Sequence, residues 1–471
     1  MNRAHFAPGA AAFVAAALVA LLGFDAGADQ PAQPEPRPAG NVSLRLLGVN
    51  DLHGHLEPPR AGIGGVAWLK AHLDAAERPG RTIRVHAGDM VGASPLVSSW
   101  FHDEPAIEAA NEIGFDVGTL GNHEFDDGGA EMMRLVRRAA FSTLAANTFD
   151  RSGRLVLPPY RIVERAGVPV GFIGVTTPST PHWLLPQHAA EFRFGDTSDA
   201  VNRWVPVLQR QGVEAIVVLA HEGAPTQSGG PLTGPVIDEA REMSDAVDVV
   251  IAGHSHSMLN VRVGGKLVVE ALSYGTAFDQ VDLTIDRSSG DVAEKSAMIP
   301  STGHAGVEPD AALAASVAAR VASVAPVGDR VVGHAARPLT RRGGELLELA
   351  GDAQREAAGA ELAIVSPSAI RSDIDAGPIT YAEAFEAQAF DHPLRRATMS
   401  GSDIIAMLDG TSLHTSGPDG GLRAEASYTV VASELLAKNG RAGLLREGIR
   451  MGTEVEALTE HLKRLATTPS P

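Results

Sequence analysis

The sequence predicts an α/β fold of layered type, with helices flanking mixed sheets, followed by a smaller α/β domain. Three observations carry this expectation. From residue 41 onward, short runs rich in Val, Ile and Leu alternate with stretches of helical period. Five of those runs stop in polar clusters of Asp, Asn, His and Gly, as buried strands do when they end in loops. At 471 residues the chain also exceeds what one ordinary core serves, so two domains are expected.

Taken in order, the expected buried strands are 44–49, 82–86, 117–120, 215–219 and 249–252. The helices between them are expected at 66–76, 105–113, 130–139 and 200–211. Residues 261–285 differ. Their alternation around Gly264-Gly265 reads as a hairpin, which adds antiparallel strands to the first domain. The Ala-rich stretch 308–325 reads as an amphipathic helix joining two domains. After 331 come expected helices at 345–358 and 401–409 and expected strands at 362–365 and 428–432. The predicted division is therefore a first domain over 41–302, a connecting helix within 303–330 and a second domain over 331–471. No internal repeat of fixed period is present.

The first 28 residues read as a signal peptide. Arg3 and His5 precede an apolar run over 11–24, and Ala26-Gly27-Ala28 offers small residues for cleavage before Asp29. The run is short for a bilayer span, which needs about 20 apolar residues. Residues 29–40 form a Pro-rich linker with little capacity to pack. No later stretch reads as long and apolar enough to cross a membrane. On the strength of the signal peptide, the mature chain is expected outside the cytoplasm, periplasmic or secreted.

Composition narrows the function. A net charge of -18 argues against a nucleic-acid polymer as partner, because phosphate backbones call for basic stripes. A small phosphorylated substrate stays compatible, since bound cations reverse the local sign of a pocket. The absence of cysteine excludes disulfides, thiolate zinc sites, a cysteine nucleophile and a lipidated cysteine.

The polar clusters carry the chemistry. They are Asn50-Asp51-Leu52-His53, Gly88-Asp89, Gly121-Asn122-His123-Glu124, His221-Glu222 and Gly253-His254-Ser255-His256. Loops after the carboxyl ends of strands in layered α/β folds converge on one crevice. Asp51, His53, Asp89, Asn122, His221, His254 and His256 would then pool imidazole nitrogens with carboxylate and amide oxygens. That mixture suits Zn, Mn, Fe or Co and lacks the all-oxygen character of a calcium cage. Seven donors exceed the need of one ion but fit two divalent ions sharing a carboxylate, the arrangement of two-metal hydrolytic sites. Each motif alone has a plainer reading: Gly-Asp is usually a turn, and a lone His221 a hydrogen-bonded strand-end histidine. Their order and shared placement at strand ends set the group apart.

These five segments resemble the calcineurin-like metallophosphoesterase signature, and more narrowly the bacterial 5′-nucleotidase family. VHAGDMVGASPLVSS, GFDVGTLGNHEFDDGG and VDVVIAGHSHS are similar to family text, dense over 44–300 and thinner after 331. The resemblance implies that Asp51, His53 and His256 hold one metal, that Asn122, His221 and His254 hold the other, and that Asp89 bridges. The position of His256 is often Gln or Asn in relatives. The resemblance further implies that His123 contacts the phosphate and that Asp126 orients it. N-capping of the following helix is the plainer role for Asp126. The substrate implied is a small phosphorylated molecule, a nucleotide first. Relatives also include hydrolases of nucleotide sugars and cyclic nucleotides, and a non-catalytic exported metal binder is the alternative from another class.

In the family, the second domain grips the remote part of the substrate with arginines and two stacking aromatics. SPSAIRSDI resembles the family's arginine segment and assigns Arg371; Arg342, or its neighbour Arg341, is a further candidate. Ser366 and Ser368 stand where relatives have Asn and Gly. SGPDGGLRAEASY and AKNGRAGLLREG lack the expected rings. The aromatics after residue 330 are Tyr381, Phe385, Phe390 and Tyr428, whose local patterns suit core positions.

Overall fold

The computed structural model describes residues 39–225, 233–417, 421–437 and 448–467. The signal peptide and all but the end of the linker lie outside these residues, as do 418–420 and 438–447 of the two segments expected to lack stacking rings.

Two six-stranded sheets form the centre of the first 300 residues. One has the order Val292–Met298, Asp279–Asp286, Asn41–Val49, Thr82–His86, Val117–Thr119, Ser142–Leu144. The other has the order Met258–Val263, Lys266–Ala271, Val249–Ala252, Ala215–His221, Val168–Thr176, Tyr160–Arg165. Both are parallel in the middle and antiparallel at one edge or both. Strand alternation explains the layering. Leu44, Leu46, Val85 and Leu283 from the first sheet meet Phe172, Val217, Leu219 and Ile251 from the second in one core. Neighbouring residues face outward. Leu47 and Val49 pack under the helices Val66–Ala76 and Glu104–Ile113. Ile216, Val218 and Val250 pack under Thr197–Arg210 and Pro235–Glu242. The result is four layers, helix–sheet–sheet–helix, with central strands apolar on both faces.

The helix Ala311–Gly328 lies on the first sheet's outer layer through Leu313, Val317, Val321 and Val324, and Arg320 pairs with Glu108 at 2.7 Å. By length and composition alone this helix is apolar enough to cross a membrane, which corrects the expectation that no such stretch follows the N-terminus. Its alanines and valines, with a single arginine, lift it over that threshold without large side chains.

The remaining chain builds a five-stranded sheet in the order His414–Ser416, Leu362–Val365, Ser427–Ser433, Pro393–Ser400, Ile449–Thr453. Glu345–Ala358 and Glu454–Thr467 pack near it around Leu346, Ala350, Ala353 and Leu458. The short helix Tyr381–Ala387 starts with a capping box between Thr380 and Glu383.

A candidate metal centre at the converging strand ends

All five polar clusters fall where strands stop. Asn41–Val49 leads into Asp51 and His53, Thr82–His86 into Asp89, and Val117–Thr119 into Asn122 and His123. Ala215–His221 ends on His221, and Val249–Ala252 leads into His254 and His256. The chain has to turn sharply at each point. Asp51, His53, Asp89, His254 and His256 all adopt left-handed backbone, with φ between 49° and 73°. Each such residue costs about 1–3 kcal/mol, and the surrounding structure must hold it there.

Buried polar groups supply that hold. Asn50 Nδ2 donates to Asp51 Oδ2 at 2.8 Å and to the Leu272 carbonyl at 2.6 Å. Asp51 Oδ2 also accepts the His254 N–H at 2.9 Å. Glu124 accepts the N–H groups of Gly121, Met90 and Asp89 at 2.5, 2.8 and 3.1 Å, tying two site loops together. Glu270 accepts Ser255 Oγ at 2.8 Å and the Ser257 N–H at 3.0 Å, fixing the loop that carries His254 and His256. Gly121 leaves no room for a side chain, because a Cβ there would land on the Asp89 carboxylate and backbone.

The donor atoms are gathered closely. His53 Nε2 lies 3.1 Å from His256 Nε2, and Asp51 Oδ1 lies 3.3 Å from His256 Nε2 and 3.7 Å from His53 Nε2. His221 Nε2 lies 3.0 Å from Asp89 Oδ2 and 3.1 Å from Asn122 Oδ1. Asp89 Oδ2 is also 3.7 Å from His53 Nε2, so the carboxylate stands between the two groups. Its other oxygen accepts the His123 N–H at 2.8 Å. Asp51, His53 and His256 form one cluster with ligand atoms within 4.8 Å of one another, and Asp89, His221 and His254 form a second.

This arrangement passes a physical test for cations. Asp51 Oδ1 is buried with no hydrogen-bond donor, a position that calls for a positive partner. His53 turns Nδ1 to the Gly92 carbonyl at 2.9 Å and His221 turns Nδ1 to the Ala87 carbonyl at 2.8 Å. Both imidazoles thereby present Nε2 inward, as carbonyl-oriented ligand histidines do. Burial lowers His53 to about 3 and His254 to about 4, the neutral form that binds metal. Burial opposes the ionised form of Asp89, yet His221 and His123 outweigh it and hold the carboxyl below its usual range.

Beside the cluster, His123 Nδ1 donates to Asp126 Oδ2 at 2.7 Å. Burial alone would lower His123, but Asp126 and Asp89 together raise it. The helix Gly129–Arg138 is capped at Gly128 instead of Asp126, so the capping role for Asp126 falls away.

Asp89, Asn122, His123, His254 and His256 open onto a cavity of about 320 Å³, within the usual range for small-molecule sites. Arg371 lines it from the C-terminal part of the chain, its guanidinium 5.4 Å from the Phe390 ring. The Nε and Nη2 atoms of Arg371 are buried without a partner. Arg342 is exposed on the turn before Glu345–Ala358 and is not brought into this cavity. Arg341 is exposed too, 3.8 Å from Asp373.

One expectation needs correction here. Phe390 is not a core residue. It lies past the end of the helix Tyr381–Ala387, where helical periodicity no longer says which way a side chain points. Its ring stacks on His123 at 5.4 Å and on His392 at 5.4 Å. His182, which is exposed, and His392, which packs on Phe390, also line the cavity. Sequence reasoning also missed Trp183 there. The available signal was a sixth strand end, Val168–Thr176, which pairs in parallel beside the His221 strand and delivers 177–183 to the same edge.

A four-layer sandwich with paired His and Asp clusters at its strand ends defines the class of calcineurin-like metallophosphoesterases, and residues 44–258 match the calcineurin-like phosphoesterase family. Residues 317–434 match the 5′-nucleotidase C-terminal domain. The chain belongs to the bacterial 5′-nucleotidase family, which joins these two parts. Endonuclease YhcR of Bacillus subtilis (strain 168) is 35% identical over 415 residues, covering 81% of this chain and 34% of that protein. Cell wall protein Lmo0130 of Listeria monocytogenes is 32% identical over 441 residues, covering 79% of this chain and 56% of that protein. The chain thus spans about a third and about half of these relatives. Among solved structures, the 5′-nucleotidase precursor from Thermus thermophilus superimposes with a TM-score of 0.79 at 24% identity, covering 91% of this chain and 98% of that one.

Proposed function

We propose that this chain is an exported, metal-dependent hydrolase of phosphomonoesters, nucleotides first among them. The observation that carries the reading is the donorless buried Asp51 Oδ1 amid inward-facing imidazoles, a set that suits two divalent cations of Zn, Mn, Fe or Co. Asp51, His53 and His256 would hold one cation and Asn122, His221 and His254 the other, with Asp89 between. When bound, the cations supply Lewis acidity at the phosphoryl oxygens and make water acidic enough to attack near neutral pH.

The chain's own groups do the rest. Asp126 fixes the His123 ring through Nδ1, leaving Nε2 to donate to a phosphoryl oxygen as charge builds in the transition state. The unpaired guanidinium of Arg371 is placed to receive an anionic or polar part of the substrate; Arg342 would need the segment around it to move to assist. In this reading 41–302 is the catalytic part, the helix within 303–330 the connector, and 331–471 the part that grips the substrate. Export rests on the signal-like N-terminus, together with a relative named as a cell wall protein. A net charge of -18 weighs against a polymeric nucleic-acid substrate, although one relative is named an endonuclease.

The test is a panel of AMP, UDP-glucose and 2′,3′-cyclic AMP with metal-replete protein. Phosphate release fastest from AMP is expected. Faster cleavage of either other compound reassigns the substrate, and no release from any of them, nor from an aryl phosphate, favours the non-catalytic metal binder.

A further inference from the structure

Trp183 is 39% exposed although tryptophan is the largest apolar side chain. Its place is fixed by the turn before it. Thr180 is buried and donates through Oγ1 to the Thr177 carbonyl at 2.7 Å. The Thr177 N–H in turn donates to the carbonyl of His221 at 2.9 Å. The Trp183 N–H closes the turn on the Thr180 carbonyl at 2.9 Å. The indole is therefore anchored, through three residues, to the backbone of a residue in the second metal-binding cluster.

What remains free is the face of the ring. Indole Nε1–H is turned back to Ser179 Oγ at 3.4 Å, so the polar edge is engaged locally. The ring's aromatic neighbour among the described residues is His254, crossed at 70° with centroids 5.9 Å apart, so no ring lies flat on the indole. The cavity wall adds aliphatic surface from Leu435 and Leu436. One cavity thus joins an anion-binding end, at Asn122, His123 and Arg371, to an open aromatic plate beside it.

We propose that Trp183 stacks on the planar ring of the substrate's leaving group, so that the site prefers esters bearing a nucleobase or an aryl ring over aliphatic phosphate esters. The inference rests on the hydrolase reading above and adds the leaving-group chemistry to it. A base or aryl ring stacked on an aromatic side chain contributes enough to change binding by roughly 5- to 150-fold.

The experiment compares wild type with Trp183→Leu, which keeps bulk and removes the ring, and with Trp183→Phe, which restores a ring. The readouts are the ratios of kcat/KM for AMP and for 4-nitrophenyl phosphate to that for glycerol 3-phosphate, and calorimetric binding to metal-replete protein of a non-hydrolysable phosphonate analogue of AMP, called AMP binding below. Trp183→Leu is expected to lower the AMP ratio by at least about 5-fold and weaken AMP binding to a similar extent, with Trp183→Phe recovering most of both. A fall in the AMP ratio alone marks the nucleobase as the ring recognised; a fall in both ratios marks any planar ring. Unchanged ratios and unchanged AMP binding in Trp183→Leu overturn the proposal, as does the absence of AMP binding to wild type. If no ester is hydrolysed, the hydrolase reading fails, while the binding comparison still decides the role of Trp183.

Discussion

His123 shows how a single residue can be tied to three neighbours at once. Its backbone N–H is held by Asp89 at 2.8 Å, its ring Nδ1 by Asp126 at 2.7 Å, and Phe390 stacks against its face. Only Nε2 is left for work in the cavity. If it stabilises the transition state as proposed, His123→Ala is expected to reduce kcat by about 10²–10³-fold. Metal content, measured by elemental analysis, should stay at the wild-type level. Parallel loss of metal and turnover would show that the residue is a ligand instead. Residues of this kind are legible in sequence because their neighbours are short polar motifs: Gly-Asn-His-Glu places His123 beside Asn122 whatever the rest of the chain does. Phe390 and Trp183 are not legible in that way. Trp183 closes a short turn and Phe390 lies past the end of a helix, and in neither place does periodicity fix side-chain direction.

Among the elements, the loops store strain and the strands and buried carboxylates contain it. Five metal-cluster residues with positive φ sit on loops stapled by Asn50, Glu124 and Glu270. The second half of the chain uses a buried carboxyl similarly. Glu454 opens the helix Glu454–Thr467, accepts the His392 N–H at 3.1 Å and thereby fixes the turn that presents Phe390. Burial raises its carboxyl to about 8, with Asp391 adding to the shift and the His392 N–H opposing it. A carboxyl with its folded pKa above its unfolded value is protonated in the fold and ionised in the unfolded chain across that interval. Folding then takes up a proton, and stability falls as pH rises from about 4.5 to about 8. Glu454→Gln keeps an amide in place of the protonated acid and removes this dependence. Thermal melts should show the wild-type Tm dropping between about pH 5 and about pH 8 by on the order of 5 °C more than that of the variant. Equal slopes would mean that Glu454 is solvated in the fold.

For the whole molecule, seven donors come from strand ends as far apart in sequence as Asp51 and His256. Cations bound there would link both sheets of the sandwich and would not be held by the unfolded chain. A ligand at about 100 times its Kd stabilises a fold by about 2.7 kcal/mol. Chelation is therefore expected to lower Tm by at least several degrees, and zinc or manganese to restore it. A Tm indifferent to chelator and added metal would contradict a shared centre.

The amino-acid sequence by itself determined the local events. Strands such as Val249–Ala252 and helices such as Val66–Ala76 and Glu345–Ala358 follow from apolar period and flanking glycines, and ligand-type residues at strand ends follow from short motifs. Only the tertiary structure decided which ends share a cavity with what else. It brought Trp183, Phe390 and His392 to the site, left Arg342 in solvent and gave Arg371 an unpaired guanidinium. The physical reason is range. Backbone propensity and burial period act over a few residues, whereas the meeting of Trp183 with His254 depends on parallel pairing between Val168–Thr176 and Ala215–His221, which no local pattern encodes.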